Sequence, residues 1–254
     1  MPTYGSLWPQ YAKQWDSMQV RPSKVNAFNA IAKRLVSAKD RYVAVQNKTG
    51  VPWYVIALIH EREASQNFNT QLGQGDPLSR VSTHVPRGMG PYTGPGAWEC
   101  AAVDALHLDK LDRVKDWRLE KCLYYLELYN GWGYHSHGVP SAYVWAGSTV
   151  YVSGKYVADG VWSSSAVDTQ AGCAPLLKCM MNLDPSIQPK RESNLPDTPT
   201  ITTVGGTIVA GGATASQYPH LWIYILVGTI VAALAGFTLV RWLDKPTLIP
   251  QKGK

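Results

Sequence analysis

The chain has 254 residues, a net charge of +6, 45% hydrophobic residues and only 17% charged residues. That length and apolar content exclude a wholly disordered chain, and no heptad or Gly-X-Y repeat marks a fibre. Ten Trp and 14 Tyr against three Phe suit surfaces that are apolar yet wet, such as sugar clefts and membrane interfaces, and the positive charge suits anionic partners such as wall polymers and lipid headgroups.

The first twenty residues, MPTYGSLWPQYAKQWDSMQV, lack the basic start and apolar run of a secretory signal. From Val25 the apolar positions Phe28, Ile31, Leu35, Tyr42 and Val45 fall three or four residues apart, with Ala38 filling the gap. This predicts one amphipathic helix from near Pro22-Ser23 to Gly50. Pro52 opens a second helix through WYVIALIHEREAS. A Gly/Pro-rich stretch, Asn67 to Gly96, follows, and a loop of that length is usually functional. A third helix is expected near Trp98 (WECAAVDALHL). A fourth, WRLEKCLYYLELYN, carries Leu119, Cys122, Leu126 and Tyr129 on one stripe. TVYVSGKYVADGVW alternates around Ser153-Gly154 as a β-hairpin. The last helix, within SAVDTQAGCAPLLKCMMNL, is expected to break or kink at Pro175. Cys100, Cys122, Cys173 and Cys179 show no CxxC; burial preference favours free buried thiols over disulfides.

The expected fold class is α+β, mainly α: a helical head (1–181) with a small hairpin, a flexible Pro/Thr/Gly-rich linker (182–217), one transmembrane helix (218–243) and a basic tail (244–254). Leu221 to Val240 carry no charge, and 20 residues at about 1.5 Å each span about 30 Å of hydrocarbon. Trp222, Tyr224 and Trp242 fall near its ends as interfacial aromatics do. Arg241, Lys245, Lys252 and Lys254 against Asp244 put the C-terminus in the cytosol and the head on the periplasmic or wall-facing side. Gly228, Ala232 and Gly236 recur every fourth residue, a face on which a second copy or a membrane partner fits closely.

For chemistry, the second helix offers Glu61 and Glu63. Glu63 lies four residues after Ile59 and seven after Ile56, on their core-facing stripe; Glu61 points elsewhere. A carboxyl group at the end of a buried stripe loses hydration and rises in pKa, as a general acid at neutral pH requires. The opposing reading is a helix-end carboxylate paired with Arg62 or Arg80. His135-Ser136-His137, with His60 and His84, does not have HExxH spacing, so no metal and no cofactor are expected. No phosphate loop occurs, and the basic residues are scattered, so no nucleic acid is expected.

KTGVPWYVIALIHEREASQNFN resembles the catalytic-helix signature of lysozyme-like muramidases, the superfamily of goose-type lysozymes and lytic transglycosylases, and YNGWG at Tyr129–Gly133 resembles their later YN-G motif. The ordered run of IHERE, NFNTQLGQGDPL, VSTHVP, AWECAAVDAL, YNGWGY and YVADGVW is similar to a group of phage and bacterial peptidoglycan-degrading lysozymes, over roughly residues 40 to 180. The chain departs from that pattern at Ala64, where Ser is usual, and at Cys100, where Glu is usual; Glu99 is kept. The resemblance implies a muramidase that cleaves the MurNAc-GlcNAc β-1,4 bond of peptidoglycan, in phage-related lysis or entry or on a virion. It makes Glu63 the general acid. Counted from Ile59, the transglycosylase register would put the acid at Arg62, so Glu63 requires the one-residue offset of the closer lysozyme group; Glu61 is the fallback. Asp76 in GQGDPL is the candidate to orient water, against an Asx turn before Pro77. Without a second carboxylate, the substrate's N-acetyl group would attack and leave an anhydro sugar. Tyr129, Asn130, Gly131, Trp132 and Tyr134 are the implied glycan-binding residues, against a tight Gly-rich turn whose aromatics are core, with Thr83 and His84 on the loop walling the cleft. Two other readings stay open: a degenerate lysozyme fold that binds glycan or serves as a structural virion membrane protein, and a metal-dependent wall amidase or peptidase.

Overall fold

The computed structural model describes residues 2–73, 75–84, 86–192, 200–204 and 207–211, the last two stretches as backbone. The chain forms two compact units, Met1–Asn194 and Leu195–Lys254. The first is mainly helical with one small antiparallel sheet.

The unit opens with α1 (Tyr4–Ser17), absent from the expected helices although Leu7, Tyr11 and Trp15 bury one stripe. The expected helix from Val25 to Gly50 is two: α2 (Val25–Ser37) and α3 (Lys39–Thr49), parted at Ala38 (φ −95°, ψ 12°). Packing explains the break. α2 lies along α9 (Cys173–Leu183), whereas α3 packs on α4 (Trp53–Ala64) and α5 (Ala97–Leu108), and one straight helix cannot serve both. Gly50 ends α3 in the left-handed region, φ 75°, with its N–H on Gln46 O at 2.7 Å. Pro52 caps α4 rather than lying within it, and Gln46 Oε1 accepts the Trp53 N–H at 2.7 Å.

After α5 come α6 (Leu119–Asn130) and the single turns α7 (Gly133–Ser136) and α8 (Ala142–Trp145). The hairpin is β1 (Lys155–Ala158) against β2 (Val161–Ser163), so it turns at Asp159-Gly160 and not at Ser153-Gly154. Asp-Gly supplies the positive φ of a tight turn, 66° at Gly160. Gly154 instead makes room for an aromatic ring, since a Cβ there would meet Trp162 at 2.8 Å. α9 starts at Cys173, which places Pro175 in its first turn, where a missing N–H breaks no intrahelical bond; the expected kink is therefore absent. All four cysteines are free; Cys122, Cys173 and Cys179 are buried and Cys100 is exposed, against the expectation of burial.

The head does not end at 181. Asp184 pairs with Lys39 at 2.7 Å, Ile187 is buried, and Lys190 O accepts the Leu119 N–H at 2.7 Å. Glu192 accepts from Arg118 at 2.6 Å and from the Tyr4 hydroxyl at 2.9 Å. Proline-rich composition suggested a linker, but these ties make residues 184–192 a strap on the head. In the second unit, β3 (Thr200–Val204) pairs antiparallel with β4 (Thr207–Gly211), Thr200 opposite Gly211. This ladder lies in the stretch expected to be a structureless linker; β-branched runs around Gly205-Gly206 are its signal in the sequence. Among the described residues no helix is long and apolar enough to cross a membrane. The expected span Leu221–Val240, its Gly228–Ala232–Gly236 face and the basic tail lie outside the described residues.

The α4 stripe Val55, Ile56, Ile59 and its neighbours Ala57 and Leu58 are fully buried, beside Tyr42, Trp98 and Leu106. His60 is buried in a ring cage with Phe68 (4.7 Å) and Trp98 (4.5 Å), its Nδ1 3.0 Å from the Tyr42 hydroxyl. Burial lowers its pKa from 6.5 to about 4. The unfolded chain therefore takes up this proton first as pH falls. The cage's contribution is complete above pH 6.5 and drains away toward pH 4, by on the order of 3 kcal/mol. Denaturant midpoints at pH 7 and pH 4.5 should show wild type losing stability relative to His60→Phe across that interval. A constant difference between the two proteins would contradict this.

Candidate functional site

Glu63 sits in the last turn of α4, four residues beyond buried Ile59. The end of the helix is abrupt. Ser65 (φ 49°) and Gln66 (φ 60°) are both left-handed, and their N–H groups close on Glu61 O (3.0 Å) and His60 O (3.2 Å). Beside Glu63 opens a cavity of about 360 Å³. α5 contributes Ala105, Leu108 and its cap residue Asp109; α6 contributes Tyr129 and Asn130 from its last turn; the long loop contributes Gly73 and Pro86. Three helices thus end at this cavity, and each brings the negative end of its dipole. Among the described residues no Lys, Arg or His lines it.

Burial raises the Glu63 carboxyl above its ordinary pKa, and the charge of Asp109 adds to the rise; the Tyr143 hydroxyl and the Arg62 charge oppose it. Asp109 is exposed as a residue at the cavity mouth, yet the protein around its carboxyl group excludes enough water to raise it as well. The Tyr129 hydroxyl is buried without a hydrogen-bond partner among the described residues and is held protonated by burial and by Glu63 and Asp109. The arrangement offers a carboxyl group with a raised pKa, a second carboxyl group, a phenol and an amide in one cleft. That set can donate a proton, accept one from water and hold hydroxyl or amide groups of a ligand.

Behind Glu63 lies a buried polar chain. Tyr143, on α8, donates to Glu63 Oε1 at 2.9 Å. The Arg62 guanidinium stands 4.7 Å from the centre of the Tyr143 ring. It is held by Asp168 (3.0 Å) and by Ala171 O (3.4 Å), with Lys155 also 3.7 Å from Asp168.

The other sequence candidates take different places. Glu61 is buried toward α2 and away from the cavity lining, in an ion pair with Arg34 at 3.3 Å. Burial raises its pKa and Arg34 opposes the rise. Glu99 is engaged by Arg41 at 2.6 and 3.2 Å. Asp76 does not line the cavity. Its Oδ2 accepts the N–H groups of Thr83 (2.9 Å) and His84 (3.0 Å), and its Oδ1 meets His84 Nδ1 at 2.7 Å. Those bonds hold it below the ordinary aspartate range. It closes the loop on itself, across seven and eight residues, and is neither a water-orienting group at the cleft nor a local Asx turn. Thr83 serves the loop through its backbone, and His84 through its backbone and its ring. Of YNGWG, only Tyr129 and Asn130 reach the cavity. Gly131 (φ 90°) turns the chain out of α6, Trp132 packs on Tyr124 at 5.3 Å, and Tyr134 is buried under Tyr156 (6.0 Å) and Trp162 (5.5 Å) of the hairpin. His137 stacks on Trp162 at 3.9 Å, and among the described residues no three His, Cys, Asp or Glu side chains gather as a metal set.

Two residues of the site, Asp109 and Tyr143, are not among the sequence candidates. Asp109 follows buried Ala105 and Leu106 by four and three residues, the same signal of a carboxylate at the end of a buried stripe that singles out Glu63. Tyr143 carries no local signal; only the fold brings α8 to α4. No family model, curated protein or solved structure matches this chain.

Asp76→Ala should free residues 76–90 to move. Because its carboxylate is held low, the loop keeps its ties above the unfolded aspartate value of about 3.9 and loses them as pH falls below it. Limited proteolysis at pH 7 should therefore cut the variant within this loop well before wild type, with α4 intact. Equal cutting rates would show that other bonds set the loop.

Proposed function

We propose that the chain is a membrane-anchored peptidoglycan muramidase that cuts the MurNAc-GlcNAc β-1,4 bond by general acid catalysis, with its head on the wall-facing side and a phage-related lytic or entry role. The observation that carries this reading is the cavity shared by Glu63 and Asp109. Glu63 protonates the glycosidic oxygen as the bond from that oxygen to the anomeric carbon breaks. Asp109, rather than Asp76, removes a proton from the water that adds to the anomeric carbon. Tyr129 and Asn130 supply a ring face, a hydroxyl and an amide for the sugar. The chargeless stretch Leu221–Val240 supports the anchor, and the motif order around Glu63 supports the substrate class. The net charge of +6 favours approach to an anionic wall.

The test is release of soluble fragments from purified peptidoglycan by the full chain in detergent, with mass analysis of the products. Wild type should release fragments, and Glu63→Gln should lose roughly a hundredfold or more. No release by wild type, or equal release by Glu63→Gln, refutes the proposal; binding without release favours the non-catalytic glycan binder. With Asp109 as base the products carry an added water, and Asp109→Asn slows release. Anhydro products would instead assign the attack to the substrate's N-acetyl group.

A further inference from the structure

We propose that Tyr143, clamped by the buried Arg62–Asp168 pair, is a positioning residue that reserves Oε1 of Glu63 as an acceptor and so keeps the transferable proton on Oε2. The inference rests on the muramidase reading only in calling Glu63 the acid; the geometry stands without it.

The Tyr143 side chain is buried, and its hydroxyl has one acceptor among the described residues, Glu63 Oε1 at 2.9 Å. Burial and the nearby Glu63 keep this phenol protonated far above its usual range, so it donates. An oxygen that accepts this bond is a poor place for the carboxyl proton, which resides on the other oxygen. The ring that aims the hydroxyl is itself fixed. A guanidinium 4.7 Å from its centre is attracted to the π face and draws electron density from the phenol, which strengthens the donor. Arg62 cannot swing away: its side chain is 6% exposed and that of Asp168 is 5% exposed. Asp168 is further tied by the Gln170 N–H at 3.0 Å, and its own N–H donates to the Tyr151 hydroxyl at 3.1 Å.

Arg62 and Glu63 are adjacent on α4, so the backbone that carries the acid also carries the clamp for its orienting partner. The charged and titratable groups facing Glu63 are Arg62 on α4, Asp109 at the end of α5, Tyr129 on α6, Tyr143 on α8 and Cys173 at the start of α9. Of these, only Tyr143 donates a hydrogen bond to it among the described residues.

Carbon NMR of the full chain, labelled at the Glu carboxyl and Tyr Cζ carbons, reads the device without any substrate. In Tyr143→Phe the Glu63 midpoint should move up by about one pH unit, because the carboxylate loses its donor. A midpoint that stays or falls in a folded variant overturns the proposal. If the variant does not fold, wild type alone decides: the Cζ resonance of Tyr143 must titrate with the Glu63 midpoint, and an independent midpoint overturns the proposal. On peptidoglycan, Tyr143→Phe should lower kcat about tenfold with KM within about twofold, and move the alkaline limb of kcat upward in step with the NMR midpoint. An inactive wild type with both NMR results as expected removes the muramidase reading and leaves the positioning role standing.

Discussion

The structure around the cavity depends on one buried charge. Arg62 lies in the last turn of α4 and points into protein, where an unpaired guanidinium would be intolerable. The Tyr143 ring on α8, and Asp168 and Ala171 O in the hairpin-to-α9 connection, answer it from two later segments of the chain. Removing one member of a pair this buried costs about 3–5 kcal/mol. The pair therefore fastens the hairpin-to-α9 connection against the end of α4, and it does so next to the carboxyl group that the cavity exposes.

That placement sets Glu63 between opposing influences. Loss of hydration, the charge of Asp109 and the negative ends of three helices favour its neutral form. Arg62 and the Tyr143 hydroxyl favour its ionised form. Neither set of influences alone makes an acid suited to a reaction cycle, which must give up a proton and regain it. Glu61, two residues away, shows the contrast. It is also buried, but its partner Arg34 lies on another helix and it does not line the cavity. One helix thus carries a structural carboxylate and a cleft carboxylate.

The helices are legible in the sequence where burial is periodic, as in α4, α5 and α6, and Glu63 is legible by the same periodicity. Asp109 is equally legible by its spacing, but it lies on a different helix from the motif that draws attention to Glu63. The break at Ala38 is not legible: Val25 to Val45 keeps helical spacing throughout, and only the separate neighbours of α2 and α3 require the bend. The turn of the hairpin is open to two readings, Ser153-Gly154 and Asp159-Gly160, and the bulk of Trp162 over Gly154 decides between them. The strap at 184–192 is hidden by its prolines, since its ties to Lys39, Arg118 and Leu119 all come from distant sequence. Likewise Trp132 and Tyr134 have the residue types of a sugar platform, but their neighbours Tyr124 and the hairpin aromatics claim them for packing.

The charge of the chain and the charge of the cleft have opposite signs, and the difference has a physical use in the proposed reaction. Net charge acts over about a Debye length, roughly 8 Å at physiological salt, and draws the protein to an anionic polymer. The cleft acts at contact. Among the described residues its lining holds two carboxyl groups, no cation and three converging helix C-termini. A glycosidic bond that breaks with oxocarbenium character develops positive charge on the sugar ring. Fixed negative dipoles beside that ring stabilise the charge without having to reorganise. The same dipoles favour the neutral form of Glu63. In the proposed reaction, a basic chain with an acidic cleft would separate the attraction of the substrate from the stabilisation of its transition state, so that neither weakens the other.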